Sequence, residues 1–314
     1  MPEGSLRYLL YGDTVAVNLA LAIVLGGLAS DNWLSPNSSG WGHGMARKAC
    51  RARRAGFTVG VVALLAMWWL QAASISEGTD VAVGTAALSL LEATHFGQAW
   101  VAGLFGWSLA AAAAWSPVTD GAKTRRYLLA GAGLTAFAWS RSVVSHAGSR
   151  GDWSLYIAVD WIHLLLVSLW VGIVLVAAAI ELPGALSLRA DAMAAARWVA
   201  NLSSTATVAL VGIVVTGAFK AWTSVPSIGT LWTSDYGLLL SVKVGLVLVA
   251  AALGGYNRFV VLPPLFRELE FAESHAAGNW RRHLVRAFKF EAFFLVLVLI
   301  AAAVLSSTEP PNMA

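Results

Sequence analysis

Runs of apolar residues about twenty long, the length of helix that crosses a hydrocarbon layer of about 30 Å, recur along the whole chain with short polar segments between them. They predict spans near 6–29, 55–75, 97–116, 127–145, 153–180, 197–221, 236–262 and 284–306. Each is read as an α-helix, because an isolated strand in lipid leaves its backbone N–H and C=O groups without partners. Residues 80–96 read two ways, as an extension of the third span or as a separate segment at the membrane surface.

Composition supports this pattern. Of the 314 residues 58% are hydrophobic and 12% are charged, about half the charged fraction of a soluble domain, which excludes a soluble enzyme; no enzymatic activity is expected. The formal charge of +4 comes from Lys and Arg in short connections, without a basic stripe interleaved with aromatics, so lipid head groups explain it and nucleic acid does not. Cys50 stands alone, so no intrachain disulfide forms. The first apolar run is too long for a signal-peptide core, and Glu3 and Asp13 suit its flank poorly, so it is read as a mature helix. Lys and Arg concentrate in MARKACRARR, GAKTRR, the 182–197 connection and the stretch from Arg258 to Lys289, all on one side of an eight-span arrangement. The positive-inside rule then places both termini in the periplasm of a bacterial inner membrane. Trp222 and Trp232 anchor the 222–235 loop at the outer interface, and residues 263–285 form a solvated cytoplasmic connector.

A weak internal echo divides the chain into halves, 1–145 and 146–314. Asp13 lies about two turns into the first span and Asp160 about two turns into the fifth, while ATHFG opens the third span and TSDYG the seventh. Two parallel four-helix repeats about an axis along the membrane normal fit this pattern.

The polar residues inside the apolar runs gather at one depth. Asp13, Asp160 and Lys243 sit about 10 Å from the outer ends of their helices at 1.5 Å per residue, His163 lies one turn deeper, and Glu92, His95 and His146 lie at outer helix ends. Charges at such depth are costly, about 2.5–3.5 kcal/mol each on insertion scales, so they face the bundle interior and have partners. Asp160-x-x-His163 and Glu92-x-x-His95 each place an acid and an imidazole on one helical face, where the carboxylate orients the ring or both bind one metal. These residues also suit purely structural roles. Asp13 or Asp160 can neutralise Lys243 across the bundle, His163 can donate to Asp160, and His95 and His146 can be ordinary interfacial residues. Lys220 is expected to snorkel to the outer interface and Glu291 to pair with Lys289 or Arg286. An imidazole and carboxylate set suits Cu(II), Zn(II) or iron, and two imidazoles can hold Cu(I). His43, Met45 and Cys50 share one basic loop, a weak candidate for receiving a soft metal on the cytoplasmic side.

At these residues the chain resembles the CopD family of bacterial inner-membrane copper proteins. SHAGSRGDWSLYIAVDWIHLLLVSLWVG is similar to the family's His, then Asp-x-x-His leading to Trp-x-Gly; TGAFKAW with LWTSDYGLLLSVKVGLVLVAAALGGYNR is similar to its Thr-Gly, Tyr-Gly, Lys and Asn-Arg pattern; ATHFGQAW matches its Thr-x-Phe-Gly element. The resemblance is strongest from His146 to Arg258. It implies an eight-span protein that carries copper from periplasm to cytoplasm, in some relatives beside a small periplasmic CopC-like copper-binding domain, which here would be a separate chain. The expected copper ligands are His95, His146 and His163, with Asp160 orienting a ring or completing the shell. Asp13 and Glu92 would add negative potential, and Lys243 would balance the charge when metal is absent. The alternative reading is an electron-transfer protein in which two of these histidines hold a b-type haem. A membrane anchor with buried charges used only for packing is a third.

Overall fold

The computed structural model describes residues 4–34, 40–115, 122–179, 182, 189–227, 229–271 and 277–308. All regular structure among them is helical: α1 (Ser5–Asn32), α2 (Gly40–Ser76), α3 (Val83–Ala93), α4 (His95–Trp115), α5 (Ala122–Val143), α6 (Leu155–Ala178), α7 (Arg189–Ser224), α8 (Thr230–Thr233), α9 (Asp235–Tyr256), α10 (Leu262–Phe271) and α11 (Ala277–Ser306), with a 3₁₀ turn at His146–Arg150 and a π-helical turn at Asn257–Val261. Six segments are long and apolar enough to cross a membrane: Ser5–Asn32, Gly40–Ser76, Leu155–Ala178, Ala190–Ser224, Asp235–Arg267 and Arg281–Ser306. The 21-residue α4 and the 22-residue α5 fall outside that group. α5 opens on Lys123, Arg125 and Arg126 and carries Arg141 in its last turn, and α4 is rich in Gly and Trp. The outward faces are apolar: Phe105, Leu128, Val208, Val215, Leu248 and Phe290 all project large side chains away from the protein. A helix bundle apolar outside as well as inside belongs in lipid, so the protein is an all-helical, multi-pass membrane protein.

Two packed cores share α1. One is built from α1, α2, α4 and α5, around Phe57, Trp107, Leu134 and Phe137. The other joins α6, α7, α9, α10 and α11, around Trp170, Ile173, Trp198, Leu265, Leu284 and Leu295, with Ala22 and Leu34 from the α1 segment and Met45 from α2. The two cores meet where α1 crosses α6. At that crossing a Cβ on Gly26 would fall within the backbone of Gly172, and a Cβ on Gly172 within the backbone of Ala22 and Gly26. In lipid, where apolar surface gains nothing by leaving its solvent, such small residues let helices associate through close backbone contact.

This crossing brings the beginnings of α1 and α6 to one face of the bundle, here the upper face. The breaks before α4 and α9 share one geometry. Thr94 (φ −119°, ψ 150°) and Ser234 (φ −116°, ψ 148°) are extended residues between two helices. Each hydroxyl donates back to the preceding helix, Thr94 to Leu90 and Ser234 to Thr230. Each also accepts from the glycine three residues on, Gly97 N at 3.0 Å and Gly237 N at 3.1 Å. Both glycines lack the Cβ that would strike the carbonyl oxygen seven residues earlier, Leu90 O or Thr230 O. Thr94 and Ser234 therefore act as N-caps of α4 and α9. Ser234→Ala is expected to lower the unfolding free energy by about 1 kcal/mol, read as an earlier thermal transition of the purified protein.

Two expectations change here, and an open reading is resolved. Within residues 80–96, Val83–Ala93 form a separate helix, α3, packed through Ala86, Ala87 and Leu90 against Ala72 and Trp68 of α2, and α4 begins at His95. The basic stretch MARKACRARR is the first part of α2 rather than a loop, and it continues without a break into the apolar run. The 263–285 connector is largely helical, in α10 and the first turns of α11, with residues 272–276 outside the described residues.

The polar cluster beneath the upper face

Asp160 and His163 face α7 from the second and third turns of α6. The Asp160 carboxylate pairs with Lys220 Nζ, and Ser145 Oγ lies 3.3 Å from its Oδ2. Lys220 lies one turn beyond Thr216 on the same face of α7. It keeps 39% of its side chain exposed, against 14% for Asp160. Of the two acids read as possible partners of Lys243, Asp13 and Asp160, Asp160 lies within its electrostatic reach, but the direct bond of Asp160 belongs to Lys220. Lys220 therefore turns inward to an acid instead of snorkelling to the interface, because a carboxylate in lipid needs a cation within contact distance.

His163 does not donate to Asp160. Its Nδ1 lies 2.8 Å from Thr216 Oγ1, while that hydroxyl lies 2.6 Å from Gly212 O. A threonine hydroxyl has one proton, and here the carbonyl of Gly212 takes it. With the proton so assigned, the Nδ1–H of His163 donates to Thr216, and in that tautomer Nε2 carries the lone pair. Gly217 lies against the ring, and a Cβ there would sit in van der Waals contact, 3.4 Å from His163 Cε1. This is the arrangement by which an outer partner sets the tautomer and aim of a metal-binding imidazole. Thr216→Val removes the acceptor at nearly constant volume, and affinity for a metal bound at Nε2 is expected to fall about 10- to 100-fold, measured by competition against a copper chelator.

Arg141, at the end of α5, lies in electrostatic reach of both Asp13 and Asp160. It donates from Nη1 to Met67 Sδ at 2.8 Å. Asp13 Oδ2 is buried without a hydrogen-bond partner among the described residues. The cluster thus sets two carboxylates, Asp13 and Asp160, against three cations, Arg141, Lys220 and Lys243. Arg141 was not singled out in the sequence, and Thr216 entered only as the Thr of the Thr-Gly element in TGAFKAW. Thr216 and Lys220, four apart in TGAFKAW, carried a readable signal, two polar residues on one helical face near a span end.

The remaining predicted residues lie apart from this cluster. His95 Nε2 is 2.9 Å from Asp152 Oδ2, with 53% and 40% of the two side chains exposed. Glu92 is exposed and does not share a helix with His95, since the chain breaks at Thr94 between them; the three-residue spacing has no helical meaning across that break. His146 is exposed in the 3₁₀ turn that connects α5 and α6. Among the described residues no group of three or more His, Cys, Asp and Glu side chains converges as a metal site. His43, Met45 and Cys50 do not converge either. Met45, 3% exposed, is part of the core, while His43 is exposed and Cys50 half-buried on the same helix; at 100° per residue, Met45 points away from the other two.

Two further polar groups sit toward the lower face. Asp31 gathers Arg53 Nη1 at 2.8 Å and Tyr127 OH at 2.8 Å, with Arg126 Nη2 at 4.0 Å, fastening the lower ends of α1, α2 and α5. Glu291 pairs with neither Lys289 nor Arg286. It turns into the bundle, 2% exposed, and accepts from Trp170 Nε1 at 3.3 Å and Asn257 Nδ2 at 3.4 Å, while Arg286 and Lys289 face outward.

Two family models match this chain: the N-terminal domain of copper resistance protein D-like proteins over residues 5–154, and copper resistance protein D over residues 196–305. A curated relative, copper resistance protein D of Pseudomonas syringae pv. tomato, is 28% identical over 175 residues, 55% of this chain and 56% of the relative. The match thus spans little more than half of that relative's length. No solved structure matches.

Proposed function

Because the chain belongs to the copper resistance protein D family, we propose that it carries copper ions across a bacterial inner membrane from periplasm to cytoplasm, with His163 Nε2 as the donor that first receives the ion inside the membrane. The single observation that supports this most is the tautomer lock: Thr216 spends its proton on Gly212 O and so leaves an unprotonated, oriented imidazole nitrogen beside a carboxylate in an apolar bundle. In this reading α4 and α5 complete a set of eight spans with both termini periplasmic, and the upper face is the periplasmic one. The matched caps at Thr94 and Ser234, each preceded by a short helix, support two parallel repeats.

Copper meets His95 and His146 first, at the exposed rim, delivered by a separate CopC-like protein or directly from solution. Entry to the cluster is a charge exchange. Asp160 already has a cation in Lys220, and an incoming copper ion takes that place as Lys220, the more exposed of the pair, swings away. Asp160 then completes the ion's shell while Lys243 and Arg141 stand opposite Asp13, and at no stage is the Asp160 carboxylate without a cation beside it. Expulsion of the ion follows when Lys220 returns. Imidazole plus carboxylate accommodates Cu(II), and imidazole with one further soft or nitrogen donor accommodates Cu(I).

The test is copper accumulation. Cells making the protein are expected to accumulate more copper than cells without it, and His163→Ala to return them to the control level while the protein remains in the membrane. Equal copper with and without the protein would reject transport, and lower copper would reverse its direction.

A further inference from the structure

We propose that Glu291, with Asn257 as a hydrogen-bond partner able to serve both of its protonation states, is a proton-binding site in the lower half of the bundle. It does not rest on the copper reading, and its test contains no copper.

The site is built from three elements. α11 supplies Glu291, α6 supplies Trp170 about 12 Å from its lower end at 1.5 Å per residue, and the π-helical turn after α9 supplies Asn257. Trp170 Nε1, which can only donate, fixes Oε1. Asn257 is 3% exposed; its Nδ2 lies 3.4 Å from Oε2, and its Oδ1 is buried without any hydrogen-bond partner among the described residues. A buried amide oxygen left bare is costly. Turning the nearly symmetric amide over exchanges the two ends: Nδ2 donates to the carboxylate in one orientation, and Oδ1 accepts O–H from the carboxylic acid in the other. The single wider turn at Asn257–Val261 aims the side chain of Asn257 back at α11, and π-helical turns commonly occur at functional positions.

Among the described residues no cation lies in contact with Glu291. From α6, the only titratable groups are Asp160 and His163 near the upper face and Tyr156 above them. From α9, Lys243 lies about 21 Å above Asn257 along the helix, with Asp235 and Tyr236 higher still and Tyr256 exposed; in the adjoining turn Arg258 points away to Ser203 Oγ and Thr207 Oγ1. On α11 itself Arg286 and Lys289 face outward. On α1, Asp31 is held by Arg53 and Tyr127. A carboxyl so placed is complete only with a cation of its own. Space selects the smallest: α9 approaches so closely at Gly254 that an added Cβ there would sit 3.2 Å from Oε1. No third acidic, histidine or cysteine donor converges with it among the described residues. A proton needs no further donor and no further room.

The experiment is an infrared pH titration of the full-length protein in lipid nanodiscs. The carbonyl stretch of a protonated carboxyl in an apolar site is expected to appear and vanish reversibly across the titration, and to be missing in Glu291→Gln. Asn257→Leu keeps the acid and is expected to retain the band at a different frequency and titration midpoint, which also serves if Glu291→Gln fails to fold. A band unchanged in Glu291→Gln, or a Glu291 band that never titrates in the accessible range, would overturn the proposal. So would an Asn257→Leu protein with the parent's frequency and midpoint.

Discussion

Gly172→Leu is expected to leave no folded protein in the membrane. At this position the added atoms would meet backbone on the facing helix, the carbonyl of Ala22 and the amide of Gly26, and backbone cannot turn to another rotamer. Overpacking a core costs typically about 1–3 kcal/mol where side chains can yield; here α1 and α6 would have to separate along their contact, so the loss exceeds that range. Gly26→Leu is expected to do the same from the other side, since its Cβ would meet the backbone of Gly172. A matched control is Gly245→Ala on α9, where a Cβ would meet nothing within 4 Å and a helix interior gains about 0.5–1 kcal/mol from the exchange. The measurement is the yield of monodisperse protein after detergent extraction and its thermal transition. Normal yield and transition for Gly172→Leu would mean that the crossing does not hold the two cores together.

Asp160→Asn is the second large effect. Removing the carboxylate leaves Lys220 and Lys243 facing each other in the apolar bundle without the acid both of them feel, and breaking a buried ion pair by deleting one partner costs about 3–5 kcal/mol. The side chain of Lys220 is partly exposed, so part of that loss is relieved if its ammonium moves outward. The double variant Asp160→Asn/Lys220→Met is expected to recover most of the stability, because both members of the pair are then gone. The coupling energy of the cycle isolates the pair from its surroundings. The double variant still lacks the carboxylate, so it is expected to fold and yet bind copper poorly. A single variant as stable as the parent would mean that Lys220 finds another acid and that Asp160 holds nothing.

The cost of helix ends in lipid made most of the architecture readable from the sequence: apolar runs of about twenty residues allow little other than helices. What periodicity could not locate were the breaks. Thr94 interrupts the helix between Glu92 and His95 because its hydroxyl caps α4, so an acid-x-x-His spacing that would be a facing pair on one helix becomes two residues pointing apart. Asp160-x-x-His163 lies within one unbroken helix, and its members do face the same cluster, though each takes a partner from α7 and not from the other. Charge partners were the least legible. Arg53 resembled any basic residue at a membrane boundary, yet it is 3% exposed beside Asp31. Glu291 resembled a boundary acid next to Lys289, yet the helix turns it inward to Trp170 and Asn257. One sequence states how deep a residue lies but not which way its helix is rotated, and rotation decides whether a charge meets lipid, head groups or another helix.

The proposed copper path depends on the imidazole of His163 meeting copper through Nε2. X-ray absorption at the copper edge, on protein loaded in lipid and freed of loosely bound ion, reads that contact without any transport step. The parent is expected to show an imidazole shell around copper that disappears in His163→Ala and survives, with weaker copper retention, in Thr216→Val. An undiminished imidazole shell in His163→Ala would place the ion on other residues and contradict the site described here.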